Sequence, residues 1–109
     1  MEIKKKEIEA KGIRFSAEKE GREIARAYLY IMRNDLHEKP FGLMEDVYVD
    51  EAYRNVGYGV KVIRQLIEEA KQRGCYKLIA TSRHSRTGVH DLYKRLGFKE
   101  QGLEFRIDF

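Results

Sequence analysis

Residues Asp50–Gly74 read DEAYRNVGYGVKVIRQLIEEAKQRG, and the fold turns on how the first ten of them meet the rest. Val60, Ile63, Leu66, Ile67 and Ala70 recur at helical spacing, while Lys61, Arg64, Glu68 and Lys71 take the opposite side. That pattern predicts an amphipathic helix with one apolar stripe to bury. Arg73 and Gly74 supply its stop signal. Its start is less ordinary. Arg54, Gly57 and Gly59 lead into the helix, and the first turn offers no Ser, Thr, Asp or Glu. Glycine weakens a helix start unless the backbone itself has work to do.

One such task is anion binding. A helix start leaves backbone N–H groups unpaired at the positive end of the macrodipole. Where the preceding turn carries no bulky side chain, a phosphate can approach those groups directly. Lys61 and Arg64 add positive charge nearby. The plain alternative is a strand-to-helix turn that happens to contain glycine. Two other phosphate motifs fail on spacing: a P-loop needs Lys-Ser/Thr after its second glycine, where Val60-Lys61-Val62 stands, and a dinucleotide fingerprint needs a third glycine where Val62 stands.

Outward from this stretch, the first half of the chain predicts strands. GIRFSAEKEG and REIARAYLYIMR flank Gly21 as a hairpin, and the polar turn NDLHEKP leads to a further strand, FGLMEDVYVD. Alternation there puts Leu43, Glu45, Val47 and Val49 on one face and Met44, Asp46 and Tyr48 on the other. After the helix, CYKLIAT is a nearly continuous apolar run, as in a buried strand. GVHDLYKRLG predicts a short helix ending at Gly97, and FKEQGLEFRIDF one or two closing strands. Strand, helix, strand, helix, strand implies an α/β domain in which the first crossover pairs two strands in parallel.

Composition narrows the class. The 109 residues are 42% hydrophobic and 37% charged, enough for one core under a charged surface and against disorder. No apolar run approaches the ~18 residues of a membrane span. The longest, AYLYIM, is strand-sized, and MEIKKKEIEAKG lacks the apolar stretch of a signal peptide. The lone cysteine, Cys75, excludes an internal disulfide and fits a reducing compartment, so a cytoplasmic protein is expected. It opens a strand and suits packing better than nucleophilic attack. His37, His84 and His90 fall on different elements without metal-ligand spacing, so no metal is expected. Lys4–Lys6 predicts a charged edge strand that resists unwanted pairing. The net charge of +4 is uneven: residues 1–50 carry 10 basic and 11 acidic side chains, residues 51–109 carry 12 and 7. A basic half suits an anionic partner, nucleic acid or a phosphorylated cofactor.

VYVDEAYRNVGYGVKVIRQLIEEAKQRG resembles the acetyl-CoA-binding segment of the GNAT N-acetyltransferase superfamily. The signature is carried by Arg54, Gly57 and Gly59, and the downstream LYKRLGFKEQG, with Tyr93, Gly97 and Phe98, resembles the same family's later helix. The match runs from about residue 41 to the end, and the first strands fit more weakly. The resemblance implies a single domain, α/β of α+β type: a mixed, mainly antiparallel sheet with central, splayed parallel strands and two helices. It implies acetyl-CoA as co-substrate, with Arg54 among the residues that bind it and the N–H groups of Asn55, Val56, Gly57, Tyr58, Gly59 and Val60 about its pyrophosphate. Val47, Tyr48 and Val49 would pair with the pantetheine arm.

It also implies roles. Transfer of acetyl to an amine needs a deprotonated amine, a stabilised oxyanion and a proton for the departing thiolate. Tyr93 takes the position of the family's tyrosine acid. MEDVYV resembles the strand of polyamine acetyltransferases, which makes Glu45 the candidate base, through water, and Asp46 a contact for the cationic acceptor. An oxyanion donor would be a backbone N–H near Val47. The basic loop SRHSR ends in Arg86, where the family often has an asparagine, and Arg86 is a candidate phosphate contact. Another departure concerns the two helices that usually lie between the family's first two strands on the acceptor side. Only Met1–Lys11 precedes the hairpin here. A sheet face would then be open or covered by a second subunit, so a homodimer is expected. Two other functions stay in view: a sensor module that binds acyl-CoA without turnover, and a basic nucleic-acid-binding surface.

Overall fold

The computed structural model describes all 109 residues. Strand β1 (Lys11–Lys19) and strand β2 (Arg22–Met32) form the expected antiparallel hairpin, with Lys19 opposite Arg22. Glu20 and Gly21 between them have φ of 54° and 76°, the doubly left-handed geometry whose twist suits a two-residue hairpin loop. Strand β3 (Phe41–Val49) pairs antiparallel on the other side of β2. A single 3-10 turn, Glu51–Tyr53, follows; Asp50 caps it by accepting the Ala52 N–H at 3.0 Å.

Helix α1 (Tyr58–Gln72) ends where the sequence places its stop, with Gly74 at φ 78° and the Cys75 N–H closing onto the Ala70 carbonyl at 3.0 Å. Strand β4 (Leu78–Ala80) and helix α2 (Thr87–Arg95) complete the elements. The sheet order is β1-β2-β3-β4, antiparallel except for the parallel β3–β4 pair. The strand–helix–strand crossover therefore has the predicted sense. No helix is long and apolar enough to cross a membrane.

The apolar stripe of α1 meets one face of the sheet. Val62, Ile63, Leu66 and Ala70 pack with Ala25, Ala27 and Leu29 of β2 and Met44 of β3 into one buried cluster. Alternation on β2 fits its half-buried place exposing one face.

Four expectations are corrected. CYKLIAT is not a buried strand. Only Leu78–Ala80 pairs, at the sheet edge rather than its centre, none of the three is buried, and Cys75 lies before the strand and half-buried. Lys4–Lys6 form no edge strand: residues 1–10 lie outside every element, because the clustered charges leave no apolar face to seat on the sheet. The closing strands are absent. Residues 99–109 are exposed and join none of the four strands, although Leu103, Phe105, Ile107 and Phe109 alternate as in a strand. The face assignment along β3 fails as well, for a reason that bears on function.

Candidate functional site

On β2, Arg26 stands opposite Tyr48 and Tyr28 opposite Glu45, so Ala27 alone faces two residues, Asp46 and Val47. This is a β-bulge. Asp46 absorbs it with φ of 50°, a left-handed conformation uncommon outside glycine and often found at functional sites. The extra residue reverses parity along the strand. Met44 is buried in the core, and Val47 and Val49 pack against that same core, so they share its side rather than that of Leu43 and Glu45. The two carboxylates therefore do not simply point to opposite faces. Glu45 is half-buried beside the bulge and Asp46 is exposed at its apex.

The bulge has a second effect. The parallel ladder between β3 and β4 spans only Gly42–Met44 against Leu78–Ala80 and stops one residue before Glu45. Beyond it, Glu45–Val49 run on with β2 on one side and no strand on the other. The two strands part there, and the cleft between them exposes a length of unpaired β3 edge.

Helix α1 begins at the far end of that edge. Gly57 is its N-cap with φ of 95°, no side chain caps it, and Asn55 is left-handed at φ 65°. The first intrahelical bond is from the Lys61 N–H to the Gly57 carbonyl, at 3.1 Å. The N–H groups of Asn55, Val56, Gly57, Tyr58, Gly59 and Val60 have no partner within the chain. They form a bed of donors at the positive end of the helix.

The two glycines serve different ends. A Cβ at Gly57 would meet nothing within 4 Å, so that position needs glycine for its backbone conformation and leaves open space before the donors. A Cβ on Gly59 would lie 3.0 Å from Cγ2 of Val49, so Gly59 lets α1 close against β3. Arg54 is anchored back onto the strand: its Nε donates to the Val49 carbonyl at 2.9 Å, and its guanidinium lies 5.9 Å from the Tyr48 ring centre. Arg54 thus fixes the loop that carries the donors.

Across the cleft, α2 presents Tyr93. The ring is half-buried against Phe98, with centroids 5.4 Å apart, and its hydroxyl makes no hydrogen bond in the chain yet is not sealed from solvent. Burial raises its pKa first of all; the Arg86 guanidinium opposes that and the Glu45 carboxylate adds to it. Glu45 and Arg86, candidates from two other parts of the sequence, thus each lie within electrostatic reach of Tyr93. Arg86 occupies the N-cap position of α2, exposed, without making a side-chain cap. The bulge is what sequence reasoning missed, whereas the splayed strands were expected from the family resemblance; two adjacent carboxylates interrupting an apolar strand were the available signal for the bulge. A surface hollow lies elsewhere, between Ile8–Ala10 and the Met32–Asn34 corner, and brings none of these groups together.

His37, His84 and His90 do not form a ligand cluster with any acidic group or Cys75. His37 instead packs against Tyr76 at 4.9 Å, and the His90 Nε2 lies 2.8 Å from the Arg83 carbonyl.

Compared with known proteins, residues 2–98 match the family model described as "Acetyltransferase (GNAT) family". The chain is 37% identical over 91 residues to a probable glucosamine 6-phosphate N-acetyltransferase 2 of Oryza sativa subsp. japonica, covering 83% of this chain and 53% of that protein. It is 32% identical over 78 residues to an aminoglycoside N(6′)-acetyltransferase type 1 of Serratia marcescens, covering 72% and 52%. The crystal structure of glucosamine-6-phosphate N-acetyltransferase from Arabidopsis thaliana superposes with a TM-score of 0.83 at 26% identity, covering 90% of this chain and 67% of that one. The chain spans about half the length of these curated relatives.

Proposed function

The chain belongs to the acetyltransferase (GNAT) family, and from that premise we propose that it transfers the acetyl group of acetyl-CoA to a primary amine by direct attack. Members of the family use acetyl-CoA. The observation that carries the proposal is the meeting of six unpartnered N–H groups, Asn55 to Val60, with the unpaired β3 edge that the Asp46 bulge creates.

The donors would take the pyrophosphate, with Arg86 as a further cation. The β3 edge at Val47–Val49 would hydrogen-bond the pantetheine arm as a neighbouring strand does. The thioester then lies in the split between β3 and β4. Glu45, through a water, takes the proton of the acceptor ammonium, and the free amine attacks the thioester carbonyl carbon. A backbone N–H near Val47 stabilises the oxyanion. As the C–S bond breaks, Tyr93 gives its proton to the departing thiolate, the nitrogen sheds its second proton to water as the amide forms, and the phenolate recovers a proton from solvent. A raised pKa suits that role, since it keeps the phenol protonated. Asp46, exposed at the bulge, would attract a cationic acceptor.

Relatives are named for acetylating glucosamine 6-phosphate, thialysine and aminoglycosides, all of them amines. A polyamine-like small molecule or a protein lysine or N-terminal amine fits the open acceptor side equally. That side is the sheet face away from α1, where Tyr28 and Tyr30 stack at 6.3 Å and the Arg14 guanidinium lies 5.5 Å from the Tyr28 ring centre, and it fits a homodimer. Free Cys75 suits the reducing cytoplasm.

Isothermal titration with acetyl-CoA tests the binding half. We expect micromolar binding that Gly57→Glu abolishes, because the new carboxylate enters the open space before the donors. Gly59→Glu is a poorer control, since it collides with Val49. An amine screen that follows thiol release tests the chemistry. Binding without product from any amine would leave the sensor reading, and no binding at all would overturn both.

A further inference from the structure

The sheet face away from α1 carries charge, and most of that charge is answered within the chain. Buried Ala25, Ala27 and Leu29 point one side of β2 at the core, so Arg26, Tyr28 and Tyr30 stand on the other. The register carries this face across the sheet. Arg14 lies opposite Tyr28, which lies opposite Glu45; Ser16 lies opposite Arg26, which lies opposite Tyr48. Arg14 is fully engaged: its two terminal nitrogens meet the two Glu23 oxygens at 2.6 and 2.8 Å, and its Nε donates to the Tyr28 hydroxyl at 3.0 Å.

Two charged groups of this array are left over. Arg26 is half-buried and makes no ion pair. Glu23 feels it through space, but both Glu23 oxygens are held by Arg14. What Arg26 does touch is Tyr48, whose ring centre lies 4.8 Å from its guanidinium. Such a contact holds a cation in place without neutralising it. The same ring meets the Arg54 guanidinium at 5.9 Å, so one tyrosine supports both Arg26 and the loop that carries the donor bed. Glu45 is the second group, half-buried and also without an ion pair. Arg26 and the residue opposite Glu45, Tyr28, are two apart along β2, or about 6.5 Å at the usual strand rise.

One cation and one anion, on the same face and not paired with each other, match a ligand that carries one charge of each sign. The reaction already brings an ammonium to Glu45, and Asp46 beyond it draws the same end of the acceptor. Arg26 then faces whatever the acceptor carries a few bonds further on. A guanidinium fork suits a carboxylate or a phosphate there, whereas a second ammonium would meet like charge. We propose that Arg26 sets acceptor specificity by binding an anionic group, phosphate or carboxylate, carried a few bonds from the amine that is acetylated. This rests on the acetyl-transfer reading and narrows it, away from polyamine-like acceptors.

Three amines of one length test it: aminopropyl phosphate, aminopropanol and diaminopropane, each with its amine at the chain end. Thiol release from acetyl-CoA gives kcat and KM for each, with circular dichroism on every variant to report folding. We expect the wild type to prefer the phosphate over the alcohol by roughly tenfold to a hundredfold in kcat/KM, the range of one charge-assisted hydrogen bond. The difference should lie in KM, and the diamine should come last. Arg26→Gln should erase the preference, Arg26→Lys should keep part of it, and Arg26→Glu should move it to the diamine. Comparing variants cancels differences in the basicity of the amines themselves. A wild type that acetylates all three equally, or the diamine best, would overturn the specificity and leave acetyl transfer standing. A preference for the phosphate that survives Arg26→Gln would overturn the assignment to Arg26. Acetyl-CoA binding with no product from any of the three would overturn acetyl transfer to small amines, and the specificity with it.

Discussion

The two sides of the cleft are built differently. All nine fully buried apolar residues belong to β2, β3 and α1, and none to β4 or α2. On the first side, the α1 stripe and the alternation of β2 close on each other around Leu29, Ile63 and Leu66, none more than 1% exposed. On the second, α2 rests on half-buried Leu92, Tyr93 and Leu96, and β4 holds the sheet by three residues. The proposed chemistry sits on the seam. The rigid side contributes the bulge, Glu45 and the donor bed; the lighter side contributes Tyr93 and Arg86. Elements that admit and release ligands are commonly drawn from the less stable part of a fold, so stability and proton donation should respond to different residues.

The largest expected effect tests that division directly. Leu66→Ala removes a fully enclosed side chain from the cluster and should cost about 2–5 kcal/mol in urea unfolding. Leu92→Ala, on the half-buried face of α2, should cost about 1 kcal/mol, near the centre of ordinary substitutions. Equal losses would mean that α2 is part of one continuous core, and the contrast between the two sides would be lost.

Next comes the reverse case. Tyr93→Phe keeps the ring against Phe98 and removes only the hydroxyl, which has no partner in the chain. The urea midpoint should stay near the wild-type value while kcat for acetyl transfer falls by roughly a hundredfold or more. The pH dependence has a definite sign. With the pKa raised on folding, the folded protein holds this proton more tightly than the unfolded chain. The stabilisation is complete below the ordinary tyrosine value of about 10 and is lost as pH rises through the folded value. Wild-type unfolding should therefore lose stability above about pH 10 more steeply than Tyr93→Phe, and identical alkaline limbs would place the phenol in water.

How much of this was legible in the sequence follows from the same contrast. The hairpin, α1 and its stop were readable because local signals and burial agree there: Gly21 at the turn, Ile63 and Leu66 at helical spacing, Gly74 after the last turn. Helix α2 was readable from its own pattern and Gly97. CYKLIAT misled because an apolar run carries no information about which strands surround it, and β4 turned out to be an edge. The closing segment misled in the opposite way, since GLEFRIDF has a strand's alternation yet joins none of the four strands. The site residues were named through the family resemblance. The bulge that gathers them was invisible to simple alternation, because one left-handed residue, Asp46, reverses the parity of everything after it.

The smallest expected effect separates the two glycines that open α1. Gly57→Ala places a Cβ on a residue at φ 95° and should cost about 1–2 kcal/mol through strain alone, since nothing lies within 4 Å to collide with it. Gly59→Ala is different in kind. Its backbone is helical, and alanine there gains up to about 1 kcal/mol of helix propensity. The new Cβ, 3.0 Å from Cγ2 of Val49, gives back much of that gain unless the valine shifts. The net change should be a few tenths of a kcal/mol, within the range of ordinary mild substitutions. Coupling exposes what the net value hides. In the Val49→Ala background the collision is gone, so Gly59→Ala should become stabilising, whereas Gly57→Ala should cost the same in either background. If Val49→Ala relieves both glycine substitutions equally, then Gly57 also serves packing. The open approach to the donors would then no longer explain why glycine stands there.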